Sequence, residues 1–113
     1  MSTKQIKLVT VLSGLANVYA LEKPVGINDC LVWTQISNVK QRNHSDKTGL
    51  FKTRFQIDAY GTTLANCRNL AMSVYNLLEA NTNDFELATF EDEFYTKSID
   101  TNLYRAILDF YIW

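Results

Sequence analysis

Residues 50–60 alternate almost without a break. Phe51, Thr53, Phe55, Ile57 and Ala59 are interleaved with Lys52, Arg54, Gln56, Asp58 and Tyr60. A period of two puts successive side chains on opposite faces, so the pattern predicts a strand with one core face and one wet face. Residues 102–113 repeat the pattern. Tyr104, Ala106, Leu108, Phe110 and Ile112 form the expected core set, opposite Leu103, Arg105, Ile107, Asp109, Tyr111 and Trp113. Residues 30–39 predict a third strand, partly apolar on both faces (Cys30, Val32 and Ile36 against Leu31 and Trp33), as in a central strand.

Two segments switch to the helical period. Leu64, Cys67, Ala71, Val74 and Leu78, widened by Leu70 and Leu77, predict a helix over 63–80. The preceding Gly61-Thr62-Thr63 supplies its N-cap. Leu8, Val11, Leu12, Leu15 and Tyr19 predict an amphipathic helix over 4–19, with Ser2 and Gln5 spaced as a capping box. Lys23-Pro24-Val25-Gly26 is a breaker, and residues 40–49 carry no apolar side chain, which predicts a long mobile polar loop between strands.

Residues 81–101 are harder to read. Asn81-Thr82-Asn83-Asp84 suggests a turn, and Phe85, Leu87 and Thr89 a short strand. Glu91-Asp92-Glu93 then reads as an acidic turn, with Phe94–Lys97 extending or pairing that strand. Strands joined by short polar turns predict an α+β fold. It would be a mostly antiparallel sheet of about four strands with two main helices packed on one face.

Composition fits one domain over residues 1–113, large enough to bury a core without disulfides. Cys30 and Cys67 form no CxxC pair, and a reducing compartment is the expectation. No span of 18 apolar residues predicts a membrane helix. Lys4 and Lys7 before Leu8–Leu12, with Val18-Tyr19-Ala20 beyond, have the outline of a signal peptide. The apolar run is only five long and broken by Ser13, Gly14 and Asn17, and helical periodicity explains the same residues. The net charge of -1 argues against a dedicated nucleic-acid or membrane binder. The balance is uneven along the chain. Residues 1–57 hold eight Lys/Arg against three Asp/Glu, and residues 58–113 hold three against nine.

Candidate chemistry is sparse. His44 alone predicts neither a His-based metal site nor a Ser–His relay. It is a solvated loop residue or a docking contact. Asp84, Glu86, Glu91, Asp92 and Glu93 lack the ligand spacing and glycine of a calcium loop, and a solvated turn explains them. Cys67 lies on an apolar stripe and reads as a packed thiol; Cys30 has no nearby base to activate it. Lys40, Arg42 and Lys47 solubilise a loop or touch phosphate, without the aromatics of a stacking site. Asp58 and Asp109 could form an acid–base pair. Each follows an arginine four residues earlier on its strand (Arg54, Arg105), so neutralisation across the sheet is simpler. The far face of the last strand mixes Leu103, Ile107, Tyr111 and Trp113 with Arg105 and Asp109, and suits a surface that another protein or a helix of this chain covers. No catalytic set or cofactor site emerges, and the expectation is a non-enzyme.

Two blocks carry a resemblance. Phe55-Gln56-Ile57-Asp58-Ala59-Tyr60-Gly61-Thr62 leads into a helix with Ala65, Leu70, Ala71 and Val74, and the chain closes on Leu103-Tyr104-Arg105-Ala106-Ile107-Leu108-Asp109-Phe110-Tyr111-Ile112-Trp113. Together with an opening helix that runs into Val18-Tyr19 ahead of Pro24, they resemble the tail-completion (tail-terminator, head–tail joining) proteins of long-tailed bacteriophages. Segment 81–101 and the single proline depart from that pattern. The resemblance implies a virion subunit that forms a ring, commonly a hexamer, at the head-proximal end of the tail. Such a ring stops tube polymerisation and meets tail-tube and head-connector proteins, and its lumen passes DNA without sequence-specific contact. It would put Arg54, Asp58, Arg105, Asp109, Tyr111 and Trp113 at a subunit interface or ring lumen, and Lys40, Arg42, His44 and Lys47 on a partner-docking loop. A head-closure or tail-tube protein is the alternative, and a small hydrolase using Asp58 and Asp109 a more distant one.

Overall fold

The computed structural model describes residues 3–40, 51–80, 88–97 and 102–113. In chain order the elements are α1 (Thr3–Leu12), β1 (Val18–Ala20), β2 (Cys30–Lys40), β3 (Phe51–Gly61), α2 (Leu64–Ala80), β4 (Ala88–Lys97) and β5 (Tyr104–Ile112). They build an α+β fold around a five-stranded sheet of order β1-β2-β3-β5-β4. The sheet is mixed: β1 runs parallel to β2, and every other pairing is antiparallel.

The alternation read from the sequence is the alternation of the core. Phe55, Ile57 and Ala59 of β3, and Ala106, Leu108, Phe110 and Ile112 of β5, are all buried on the helix side. Leu31 and Trp33 of β2 join them, while Cys30 and Val32 are buried on the opposite face, as a central strand requires. From α2 come Cys67, Ala71, Val74 and Leu78, and from α1 Leu8 and Leu12. Each large side chain here contributes about 1.5–3 kcal/mol by leaving water.

The start of α2 is fixed locally. Thr63 caps it, its hydroxyl accepting the Asn66 N–H at 3.1 Å. Gly61 ends β3 where the helix turns back. A Cβ there would meet the Cys67 nitrogen at 2.6 Å, so only glycine allows so close an approach.

The expectation of about four antiparallel strands misses β1 and the extent of β4. The helix expected over 4–19 stops at Leu12. Gly14 and Asn17 weaken its second half, and the β-branched and aromatic Val18-Tyr19 pair with Leu31-Val32 instead. Leu31 N–H donates to the Asn17 carbonyl at 2.8 Å and Leu21 N–H to that of Trp33 at 2.9 Å, which fastens β1 at both ends. The acidic turn expected at Glu91–Glu93 is a β-bulge. Pairing with β5 shifts between Phe90 and Asp92, and β4 runs on through it to Lys97. Leu103, expected on the far face, is 4% exposed. It precedes β5, next to Asn102 in the left-handed region (φ 57°), so strand alternation does not govern it. Leu64, expected in the core stripe, is 51% exposed in the first turn of α2. Phe85, Leu87, Asp84 and Glu86 lie outside the described residues, as does the loop expected at 40–49 apart from Lys40, which closes β2.

Candidate functional site

The outer face of the sheet gathers the residues singled out by sequence. Two copies of the spacing Arg-x-x-x-Asp lie on adjacent antiparallel strands, Arg54–Asp58 on β3 and Arg105–Asp109 on β5. The register sets Gln56 opposite Asp109 and Tyr60 opposite Arg105. Each arginine therefore reaches the aspartate one diagonal step away on the other strand. Arg54 Nη2 lies 3.0 Å from Asp109 Oδ2, and Arg105 Nη2 lies 2.7 Å from Asp58 Oδ2.

The two pairs differ in exposure. The Asp58 side chain is 4% exposed, and it also accepts Gln56 Nε2 at 3.1 Å. Asp109 is 16% and Arg54 39% exposed, so their attraction is more screened. The Asp109 carboxylate still holds the Arg54 guanidinium pKa above its ordinary value, through their hydrogen bond and then their charges. Each aspartate is engaged by its own guanidinium, and no contact places the two carboxylates on a shared proton.

Cation–aromatic contacts flank these pairs. At one end Lys52 Nζ sits 4.0 Å from the Tyr111 ring and 5.3 Å from that of Trp113. At the other, Arg105 and Lys23 approach the Tyr60 ring at 5.7 and 6.0 Å. Leu21, Glu22 and Lys23, beyond β1, border a cleft there with Asp58, Tyr60, Thr96, Lys97 and Arg105. Lys23 is tied down by the carbonyls of Pro24 and Ile27 at 3.0 and 2.8 Å. Burial raises the Tyr60 pKa, with Arg105 opposing it. The structure thus unites Arg54, Asp58, Arg105, Asp109, Tyr111 and Trp113 on one face, while Arg42, His44 and Lys47 lie outside the described residues.

The helix side holds a feature that sequence reading missed. Among the described residues the helices cover β2, β3 and β5, and the helix side of β4 stands partly open. A groove of about 960 Å³ runs between α2 and β4, lined by Leu64, Ala65, Arg68, Asn69, Met72, Glu93 and Tyr95. Met72 and Tyr75 lead it on to Phe90. Leu64, Met72 and Phe90 are 51%, 44% and 37% exposed. The Tyr95 hydroxyl donates to Glu93, and partial burial followed by this bond pushes its pKa up to about 12. The signal lay in the sequence: Leu64, Arg68 and Met72 fall at i, i+4 and i+8, a second helical line beside the core stripe.

Burial raises the pKa of both Cys30 and Cys67, the opposite of an activated thiol. Among the described residues no three His, Cys, Asp or Glu side chains are grouped to hold a metal ion, and no helix is long and apolar enough to cross a membrane.

No family model and no curated protein matches the sequence. The fold does have a counterpart among solved structures. A chain from the virion of a native gene transfer agent particle superposes with a TM-score of 0.57 at 18% identity, covering 93% of this chain and 81% of its own. The likeness spans most of both chains and establishes a shared fold.

Proposed function

We propose that the protein is a non-enzymatic structural component of a phage-like virion, acting at the head-proximal end of the tail as a terminator. The observation that carries the virion reading is the fold shared with a chain of a gene transfer agent virion across 93% of this sequence. The finer role rests on the resemblance to tail-completion proteins, whose strand–helix block and closing strand correspond to β3–α2 and β5. The mechanism is geometric. A closed homo-oligomeric ring, hexameric in this reading, covers the last exposed surface of the tail tube and offers no equivalent surface to another tube subunit. Its other side meets the head connector, and DNA passes through the lumen without base-specific contacts.

In this reading the outer face, with Arg54, Asp58, Arg105, Asp109, Tyr111 and Trp113, lies at a subunit boundary or the ring wall. The partner-docking role that the resemblance implies for Lys40, Arg42, His44 and Lys47 falls at the end of β2 (Lys40) and otherwise on residues outside the described ones. The diagonal pairs would give that face a rigid, charge-neutral pattern. Electron microscopy of particles assembled without this protein tests the role. Overlong tails are expected of a missing terminator. Tails of normal length on heads that leak DNA would instead assign it to head closure.

A further inference from the structure

β4 is an edge strand, and its middle is exposed on both faces. Phe90, Glu91, Asp92, Glu93 and Phe94 are exposed in succession. Successive side chains point to opposite faces, so neither side of the sheet shelters this stretch. Beyond the bulge the strand is regular. Asp92 to Lys97 pair one by one with Asp109 to Tyr104 of β5. Among the described residues no strand pairs with the other side of β4. Half of its backbone N–H and C=O groups therefore point to the open edge, over about 20 Å of regular strand.

We infer that β4 pairs antiparallel with β4 of a second copy of the chain, about a two-fold axis at Phe94. Three features select this occupant and this register. The first is the order of charge along the strand. β4 is acidic at Glu91, Asp92 and Glu93 and ends on Thr96 and Lys97. With Phe94 at the axis, Asp92 lies opposite Thr96 of the other copy and Glu93 opposite Tyr95 of the other copy. The acidic end of each strand then meets the Lys97 end of the other. An axis at Asp92 or Glu93 sets like carboxylates directly opposite, and an in-register parallel pair sets the whole acidic run against itself. The second is Phe94 itself, 58% exposed beside Ile107 of its own β5. At the axis its ring meets the same ring of the other copy, an aromatic cross-strand pair in place of water contact. An axis at Tyr95 would set Phe94 against Thr96 and leave its ring without that partner. The third is length. β1, the other edge of the sheet, offers three residues against the ten of β4, whereas a second β4 matches it residue for residue.

The same patch serves on both copies, so the contact stops at two. It is a form of the free chain, distinct from the ring proposed above and not resting on it. Phe94→Cys tests it, because a residue at a two-fold axis meets its own counterpart and Cys30 and Cys67 are buried. Thr10→Cys, exposed on α1, measures chance collisions. Mild oxidation is expected to link Phe94→Cys into covalent dimers well beyond the Thr10→Cys level. Lys97→Glu, which sets acid against acid, should raise the dimer dissociation constant by about tenfold or more in sedimentation. A parent chain that sediments as a dimer without Phe94→Cys linkage would overturn this register, and an unchanged Lys97→Glu dimer would overturn the charge selection. A chain monomeric in solution that still caps tail-tube ends would overturn the pairing and leave the terminator reading standing. Linked dimers from a chain that binds neither tube ends nor connector would do the reverse.

Discussion

The sheet ends differently at its two edges. β1 is three residues long and is followed by Leu21 in the left-handed region, φ 71°, which stops the strand. β4 is ten residues long, bulged at Glu91, with Phe90 and Phe94 37% and 58% exposed. A short strand leaves little unpaired backbone; a long one invites pairing unless charge and bulges make it selective. The difference teaches that, among the described residues, the sheet ends on little strand at one edge and on a long, partly uncovered strand at the other.

The largest effect that probes this contrast lies within α2. Leu78 faces the covered core, so Leu78→Ala should cost about 2–5 kcal/mol in urea unfolding. Met72 faces the groove, and Met72→Ala should change stability by less than about 0.5 kcal/mol. Equal costs would mean the groove side is as well packed as the core.

The two diagonal pairs sharpen the picture at the next level. Asp58→Asn removes the buried carboxylate charge that faces Arg105 and can turn a donor toward the guanidinium, and should cost about 1–3 kcal/mol. Asp109→Asn weakens the more exposed pair and should cost less than about 1 kcal/mol. A reversed order would contradict the greater shielding of the Asp58 side of the outer face.

Thiol labelling reports on the closed regions. Cys30 and Cys67 should resist a thiol reagent at pH 8 in the native protein and react fully on unfolding. Fast native labelling of either would show that its surroundings open readily.

The smallest effect sits beside the open edge. The Tyr95 pKa rises from 10.0 to about 12 on folding, so its contribution is intact below pH 10 and lost as pH rises toward 12. Tyr95→Phe should flatten that part of the alkaline stability profile, and an unchanged slope would remove Tyr95 as its source.

Much of this architecture was legible in the chain itself. Alternation at Phe55, Ile57 and Ala59, and at Ala106, Leu108 and Phe110, named the core faces, because a half-buried strand must alternate. The Arg-x-x-x-Asp spacing anticipated both ion pairs, because antiparallel pairing reverses one copy against the other. β1 was not legible, because Tyr19 falls at helical spacing from Leu8 and Leu15 as well as it suits a strand. Its three residues owe their conformation to β2, a long-range partner. The acidic run at Glu91–Glu93 looked like a turn because a bulge interrupts alternation just as a turn does. The groove was not legible because Leu64 and Met72 are ordinary helix residues, and their exposure depends on how α2 and β4 are spaced in the fold. The uneven charge of the chain also changes meaning. Part of it cancels within the subunit, where Arg54 of the basic half meets Asp109 of the acidic half, and the acidic stretch of β4 remains on an edge strand.

Assembly into a ring at the end of the tail tube is the central claim, and sedimentation of the purified protein, alone and with tail-tube ends, tests it most directly. A closed oligomer, formed alone or on the tube ends, is the expected result. A chain that stays strictly monomeric at high concentration and binds neither tube ends nor head connector would contradict it.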